Sequence, residues 1–238
     1  MHLDEYRFLV NGRIPVTKVH GEPRPRRAVV VLHGLGASAE VNLGELRALA
    51  HAGFSAVGVD APHHGRRYDG WLDELPSLQD ATSHERFLSL LREAIPEVSE
   101  VIDHLAAEGH GPVGLLGVSM GAYTALDAAR ADARVGATVS VLGSPDWAPV
   151  RGAPTATARE WMREAPVHEP AALARAPLLF LNAGRDTVVP PEAAREFART
   201  HAARGVEYVE YPESEHLLRP DDWFDLWARA VAFLDAHL

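Results

Sequence analysis

Gly117-Val118-Ser119-Met120-Gly121 is the segment from which the architecture of this chain can be read. It follows an apolar run at 112–116 that is typical of a buried strand, and it precedes a run with helical character at 122–130. A glycine on each side of the serine permits a turn that is too tight for bulkier residues. Such a turn lifts the hydroxyl above the end of the strand and places the next N–H at a helix N-terminus, where negative charge is stabilised. Ser119 is therefore a candidate nucleophile, although a glycine-rich turn with an inert serine fits the same pattern.

Length and composition limit what the protein can be. A chain of 238 residues suits one large α/β domain, and we expect residues 1–238 to form a single domain that folds without a disulfide or a metal. The absence of cysteine excludes disulfides, thiol nucleophiles and thiolate metal sites, and it fits a reducing compartment. Lys18 is the single lysine, which argues against Schiff-base chemistry.

Charge and hydropathy argue against a nucleic-acid partner and against a membrane span. The formal net charge of −10 opposes binding to a phosphate backbone, so we expect no nucleic-acid partner. No apolar run approaches the roughly 20 residues of a membrane span, and residues 1–7 lack the basic and then apolar layout of a signal peptide. We therefore expect a cytoplasmic protein without a membrane span. The sequence gives no prediction of its oligomeric state.

The remaining pattern predicts alternating strands and helices. Asn11-Gly12 between two β-rich runs predicts an N-terminal hairpin, in which Pro15 favours an edge position for the second strand. Further strands are predicted at 28–32, 54–60, 112–116, 135–142, 176–184 and 206–211. Helical spacing occupies most of the intervening sequence, and the helix predicted at 84–108 should be kinked or split at Pro96.

Two segments between these elements lack a regular pattern. Residues 68–83 are mostly polar but contain Trp71, and residues 146–175 combine several prolines with Trp147. Irregular connections of this length are uncommon in compact domains unless they serve a function. We expect both segments to form a small cap or lid, although packing of Trp71 against the domain fits its sequence equally well.

Four further motifs accompany Ser119 in a set order along the chain. They are His33-Gly34-Leu35-Gly36, Asp60-Ala61-Pro62 followed by Gly65, Gly184 to Pro190, and His216. Together the five resemble the α/β-hydrolase superfamily, and more narrowly the small bacterial esterases related to dienelactone hydrolase and to the catalytic domain of prolyl oligopeptidase. The resemblance runs from about residue 28 to the C-terminus. Serine replaces the cysteine of dienelactone hydrolase itself and no β-propeller is present, so neither that lactone activity nor peptidase activity is implied.

The resemblance implies a fold and a catalytic triad. The fold is the α/β-hydrolase fold, a mostly parallel central sheet of about eight strands with helices on both faces and a small cap. Ser119 would be the nucleophile, His216 the base, and Asp186 the acid that orients the histidine. Two alternatives stay open for the acid: Asp186 could instead cap the following helix, and Asp146 is the next candidate.

The same resemblance implies the surroundings of the triad. The backbone N–H groups of Leu35 and Met120 would hold the oxyanion. Asp60 would have a structural role. The candidate substrate-binding residues are His33, His63, Trp71 and Trp147, although His33 could serve mainly to support its loop.

The implied function is that of a serine hydrolase, a carboxylesterase acting on esters or thioesters of small to medium acyl groups. We expect no cofactor and no metal, because the neighbouring His63 and His64 do not face one another on a regular element and no carboxylate cluster accompanies them. An acyl-CoA thioesterase, with Arg66 and Arg67 as phosphate anchors, and a C–C hydrolase would use the same fold. A non-catalytic binding module is the alternative from outside the enzymes.

Overall fold

The centre of the protein is a mostly parallel β-sheet, seen in a computed structural model that describes residues 2–75 and 80–238. Eight strands lie within these residues, in the spatial order β1-β2-β4-β3-β5-β6-β7-β8. The pairs β1–β2 and β2–β4 are antiparallel, and the other five pairs are parallel. The predicted sheet is confirmed. The strands are β1 (Leu3–Val10), β2 (Ile14–Gly21), β3 (Ala28–Leu32), β4 (Ser55–Val59), β5 (Val113–Val118), β6 (Val135–Val141), β7 (Leu178–Ala183) and β8 (Val206–Tyr211).

Helices cover both faces of the sheet. Residues of α2, α3 and α6 pack on one face, and residues of α1 and α7 pack on the other. The α-helices of the described residues are α1 (Leu43–His51), α2 (Ala81–Ala107), α3 (Met120–Ala131), α4 (Ala156–Trp161), α5 (Pro170–Leu173), α6 (Glu192–His201) and α7 (Pro220–His237). Short 3-10 turns lie at Gly65–Arg67, Trp71–Glu74, Met162–Glu164, Pro166–His168 and Ala202–Arg204.

The apolar strands are explained by burial on both faces. In β3 every residue is buried, and alternate side chains enter different cores: Val30 faces α2 and α3, whereas Val29 and Val31 face α1 and α7. Because side chains alternate across a strand, a continuous apolar run is required wherever both faces are covered.

The N-terminal hairpin forms as predicted, but the edge position does not belong to its second strand. β1 is the outer strand, whereas β2 lies between β1 and β4 and is buried throughout. The prediction from Pro15 was therefore wrong. Pro15 is tolerated because it lies at the very end of the β2–β4 ladder: the register begins at Val16 opposite Val59, and Pro15 contributes only its carbonyl, which accepts the Asp60 N–H (3.0 Å).

Helix α2 begins earlier than predicted, and of the two outcomes predicted at Pro96 it is not split. It starts at Ala81, where the Asp80 side chain accepts a hydrogen bond from the Ser83 N–H (2.8 Å). It continues through Pro96 without being divided. Pro96 has no N–H to donate, so the Arg92 carbonyl loses its intrahelical partner. Both residues are exposed, and the Arg92 carbonyl can bond to water instead, which keeps the cost of the proline small.

The two irregular segments lie at the carboxyl ends of the parallel strands. The first contains the turn Trp71–Glu74, and the part of its prediction at 76–79 lies outside the described residues. The second, at 146–175, follows β6 and contains α4 and α5. Trp147, Ala158 and Ala165 of this segment are buried in a third apolar cluster together with Met120 and residues of α2. Within the described residues, no helix has the length and apolar character needed to cross a membrane.

Candidate active site

Ser119 occupies a strained turn between β5 and α3. Its backbone has φ 52° and ψ −114°, in the left-handed half of conformational space that non-glycine residues rarely enter. Two hydrogen bonds hold the turn: the Ser119 N–H donates to the Val141 carbonyl (2.8 Å), and the Ala122 N–H donates to the Ser119 carbonyl (2.8 Å). The strain is therefore fixed by the central strands, and the hydroxyl stands clear of the end of the sheet.

Both glycines of the turn are required by close backbone packing. A Cβ on Gly117 would lie 2.1 Å from the Gly121 carbonyl oxygen, and a Cβ on Gly121 would lie 2.1 Å from the carbonyl oxygen of Leu32 at the end of β3. Neither distance allows a side chain. The two glycines of the Gly-x-Ser-x-Gly pattern are therefore required by the close packing of the Ser119 turn on itself and against β3.

The three predicted triad residues form one chain of hydrogen bonds. Ser119 Oγ lies 3.0 Å from His216 Nε2, and His216 Nδ1 lies 2.7 Å from Asp186 Oδ2. The carboxylate of Asp186 can only accept, so Nδ1 carries the proton and Nε2 presents its lone pair to the serine hydroxyl. In this tautomer the histidine can accept the proton of Ser119.

The Asp186 carboxylate is buried, and both of its oxygens accept hydrogen bonds. Its other oxygen, Oδ1, accepts the N–H groups of Val188 and Val189, each at 2.8 Å. The following helix, α6, begins at Glu192 with Pro191 at its cap position, so Asp186 is not the cap of that helix. Asp146 instead accepts the Ala148 N–H (3.1 Å). The structure therefore brings Asp186, and not Asp146, to the histidine.

The predicted oxyanion donors lie beside Ser119. Met120 is the first residue of α3, so its N–H has no acceptor within the helix and points along the positive end of the helix dipole. Leu35 follows Gly34, where an added Cβ would be only 3.7 Å from the Cβ of Ser119. Leu35 and Met120 both line the cavity that contains Ser119. Both predicted donor residues thus border the cavity beside Ser119.

His33 and Asp60 hold the loops behind this point. His33 Nδ1 donates to the Gly34 carbonyl (2.8 Å), and its Nε2 accepts the Ala61 N–H (3.1 Å). Burial lowers the pKa of His33 to about 4, so the ring stays neutral and can both donate and accept. Asp60 accepts the N–H of Ala39 (2.8 Å) and pairs with Arg66 Nε (2.8 Å). The structural role predicted for Asp60 is confirmed.

A mostly apolar cavity, partly open to solvent, adjoins Ser119. Its walls come from the 33–36 loop, α2, α3, the 146–175 segment and the loop after Asp186. The lining residues are Leu35, His84, Phe87, Ser119, Met120, Tyr123, Trp147, Ala148, Pro149, Val150, Val188 and Val189. Of the four predicted substrate-binding residues, this cavity includes Trp147 alone.

The other three lie elsewhere. His33 is buried beneath its loop. His63 stacks on Trp71 (ring centroids 4.7 Å apart), and its Nδ1 lies 2.8 Å from Asp69 Oδ2. Trp71 also receives the Arg86 guanidinium over its ring, at 4.7 Å. These contacts fix the 61–74 loop in place, and neither His63 nor Trp71 lines the cavity.

The two arginines considered as phosphate anchors are both paired with carboxylates. Arg66 bonds to Asp60, and Arg67 forms a forked pair with the buried Glu97 of α2. The positive charge of each guanidinium is thus balanced by a carboxylate, which weakens its attraction for a second anion. No contact therefore favours the thioesterase alternative.

Sequence reasoning missed three of the residues that line the cavity. His84 and Phe87 of α2 and Tyr123 of α3 were recognised only as parts of helices. His84 Nε2 donates to the Trp147 carbonyl (2.8 Å), which ties α2 to the 146–175 segment. Phe87 and Tyr123 meet edge to face, with ring centroids 5.4 Å apart. Helical spacing marks such residues as inward-facing, but it does not show that they face a cavity.

Comparison with protein families identifies one match to more than half of the chain. The model of a hydrolase family described as serine aminopeptidase, S33, matches residues 23–164. The matched region includes His33 and Ser119 and ends before Asp186 and His216.

Named relatives and solved structures agree with this match. YitV of Bacillus subtilis (strain 168), provisionally named an esterase, is 27% identical over 250 residues, covering 90% of this chain and 95% of its own. Esterase YjfP of Escherichia coli (strain K12) is 34% identical over 129 residues, covering 50% and 46%. The crystal structure of TT1662 from Thermus thermophilus superposes with a TM-score of 0.81 at 22% identity, covering 99% of this chain and 98% of that one. This last likeness establishes the α/β-hydrolase fold.

Substitution of Gly121 tests the packing of the Ser119 turn. We expect Gly121→Ala to lower the free energy of unfolding by at least about 2 kcal/mol, because the new methyl group must displace the backbone of β3. Denaturant unfolding monitored by circular dichroism measures the change. Gly44→Ala is the matched control, since its Cβ would meet nothing within 4 Å in α1 and stability should be unchanged or up to about 1 kcal/mol higher. Equal stability of the two variants would contradict the packing argument.

The low pKa of His33, about 4, predicts a pH-dependent contribution to stability. Between pH 4 and 6.5 the unfolded chain binds a proton at this residue and the folded protein does not, so stability rises with pH across this window. The contribution is complete above pH 6.5, and about 3 kcal/mol of it is lost as the pH falls to 4. Unfolding free energies of wild type and His33→Gln, compared from pH 4 to 7, isolate the effect. A constant difference between the two proteins across that range would refute it.

Proposed function

This chain belongs to the serine aminopeptidase S33 family of hydrolases, and on that premise we propose that it hydrolyses carboxylic esters with Ser119 as its nucleophile. The observation that carries the proposal is the hydrogen-bonded chain from Asp186 through His216 to Ser119, at the wall of a mostly apolar cavity. The esterase names of YitV and YjfP favour the same reaction class.

In the proposed first half-reaction, Ser119 Oγ attacks the ester carbonyl carbon while its proton passes to His216 Nε2. The imidazolium that forms is stabilised by the buried Asp186 carboxylate, which accepts Nδ1–H and is itself held by two backbone N–H groups. The carbonyl oxygen becomes an oxyanion between the N–H groups of Leu35 and Met120. His216 then gives its proton to the leaving alkoxide oxygen, and an acyl-serine remains.

In the second half-reaction, water takes the place of the alcohol. His216 accepts a proton from the water as it attacks the acyl carbonyl, and the same two amides hold the second oxyanion. Return of the proton to Ser119 Oγ releases the carboxylic acid. The acyl group would occupy the cavity walled by Phe87, Tyr123 and Trp147, with the 146–175 segment acting as the lid that limits its size.

The lining of the cavity favours an ester over the amino terminus of a peptide. An aminopeptidase must bind the positively charged α-amino group of its substrate, and a carboxylate is the usual partner for a buried ammonium. None of the described residues that line the cavity is an aspartate or a glutamate. We therefore propose small to medium, uncharged acyl groups as the substrates.

Hydrolysis of a p-nitrophenyl ester series from acetate to palmitate tests this proposal. We expect activity that peaks at short to medium chains and falls by several orders of magnitude in Ser119→Ala, because the variant lacks the attacking oxygen. Ser89→Ala, which changes a serine in α2 outside the cavity lining, should retain full activity. Turnover of Ser119→Ala within tenfold of wild type would disprove the assignment.

Two other results would redirect the proposal. A peak at long chains would favour a larger acyl pocket and make thioesters the next substrates to test. No activity in wild type, together with failure of a fluorophosphonate to label Ser119 in folded protein, would favour the non-catalytic binding module. Labelling without ester hydrolysis would favour another acyl or carbon–carbon substrate.

Substitution of the acid makes a separate prediction. Asp186→Asn replaces an acceptor by an amide that can donate to His216 Nδ1, which favours the tautomer with its proton on Nε2. That tautomer cannot accept the serine proton, so we expect kcat to fall by about 10⁴-fold with little change in KM. Asp146→Asn is the matched control and should stay close to wild type. Loss of activity in Asp146→Asn alone would identify Asp146 as the acid.

A further inference from the structure

A second group of ionisable side chains lies on the N-terminal hairpin. Asp4 of β1 stands directly opposite His20 of β2 in the antiparallel ladder, and Glu22 follows His20 two residues later. One ligand atom of each of these three residues lies within 4.8 Å of the others. His2 extends the group, because its Nε2 is 3.4 Å from Asp4 Oδ1. Asp4 and His20 thus face each other across the two strands, with His2 just before β1 and Glu22 just after β2.

This group is remote from Ser119. β2 runs antiparallel to β4, with Val16 opposite Val59 and Val19 opposite Ala56. His20 therefore lies near the beginning of the parallel strands, whereas Ser119 follows the end of β5. No step proposed for Ser119 involves these residues.

The ring of His20 is held in a position and a tautomer that suit metal binding. Its Nδ1 lies 3.1 Å from the Gly21 carbonyl oxygen, which can only accept, so Nδ1 carries the proton and Nε2 is left with a free lone pair. The ring is almost fully buried and stacks on Tyr6, with centroids 5.5 Å apart. A histidine that donates one ring N–H to a backbone carbonyl while its ring is held in place has the arrangement typical of metal-binding histidines.

The two carboxylates beside His20 lack a strong cationic partner. Among the described residues, the ion pairs of Asp4 and Glu22 are limited to the contact of Asp4 with His2. The nearby cations are engaged elsewhere: both Lys18 Nζ and Arg24 pair with Glu108 Oε2. Two carboxylates held beside an imidazole in this way would be stabilised by a cation.

We propose that Asp4, His20 and Glu22, with His2 as a fourth ligand, bind a divalent transition-metal ion of the zinc type. Three atoms no more than 4.8 Å apart fit around a point about 2.8 Å from each, since an equilateral triangle of that side has this circumradius. Zn²⁺ binds nitrogen and carboxylate oxygen at about 2.0–2.2 Å. Small rotations of the half-exposed Asp4 and the exposed Glu22 close the remaining distance.

The ligand set favours zinc over the alkaline-earth ions. Two imidazoles and two carboxylates suit a four-coordinate borderline metal, whereas Mg²⁺ and Ca²⁺ prefer six or more oxygens. The metal would join β1 to β2. β1 is the outer strand of the sheet and pairs only with β2 among the described strands, so a metal bridge would stabilise the edge of the sheet.

Titration calorimetry of chelator-treated full-length protein with ZnCl₂ tests this site. We expect one Zn²⁺ per chain with a micromolar or tighter Kd, and binding of MgCl₂ at least about 100-fold weaker. Asp4→Asn and Glu22→Gln should each raise the Kd for Zn²⁺ by about tenfold or more, and the double variant should lose the site. Glu207→Gln, which alters an exposed glutamate of β8, is the matched control and should bind as wild type does.

Hydrogen exchange supplies a readout specific to the hairpin. Zn²⁺ should slow exchange of the β1 amides in wild type and in Glu207→Gln, and should leave the double variant unchanged. A double variant that binds Zn²⁺ with the Kd of wild type would place the metal elsewhere and overturn the proposal, as would a wild type that binds none. Circular dichroism confirms that the variants are folded, and Glu22→Gln alone serves as the test if the double variant is not.

Discussion

The approach of Gly121 to the carbonyl of Leu32 is the contact on which the candidate site depends. With no room for a Cβ between them, the start of α3 packs directly against the end of β3, and Ser119 is held with φ 52°. The same contact sets the 33–36 loop beside the serine, so Leu35 and Met120 line the same cavity. Because β3 and β5 are buried on both faces, the N–H dipoles of Leu35 and Met120 are fixed before any substrate binds, which is the condition under which they stabilise an oxyanion best.

The remaining parts of the triad depend on a second rigid junction. The loop after β7 is bonded to the loop after β8, through Gly184 N–H to the Tyr211 carbonyl (2.8 Å) and Arg185 N–H to the Ser214 carbonyl (2.9 Å). These bonds hold Asp186 and His216 in one unit. Parallel strands end at a common edge of the sheet, so residues far apart in the chain meet there. The order of the strands brings this unit to the Ser119 turn, and the Asp186 carboxylate is shielded from water.

Charged residues near the candidate site serve mainly to fix loops. Arg66 holds Asp60, whose other oxygen accepts the N–H of Ala39, and Arg67 holds Glu97 of α2. The segment 60–67 after β4 is thereby fixed to α2 and to the 37–41 loop, and none of these charged side chains lines the mostly apolar cavity. The ionisable cluster of the N-terminal hairpin lies at the other end of the sheet, where it would stabilise an outer strand rather than take part in hydrolysis.

The sequence by itself determined the buried strands, the Ser119 turn and the order of the motifs, because each of these is encoded by residues adjacent in the chain. Apolar periodicity reports burial locally, and two glycines around a serine report a tight turn. The tertiary structure alone decided which groups meet. Pro15 lies in an interior strand, Arg67 pairs with a carboxylate thirty residues away, and the buried Tyr123 lines the cavity beside Ser119. Such pairings depend on the order of the strands and on how each helix is rotated against the sheet. Both are set by the packing of the whole core, so they cannot be predicted from any short segment of the sequence.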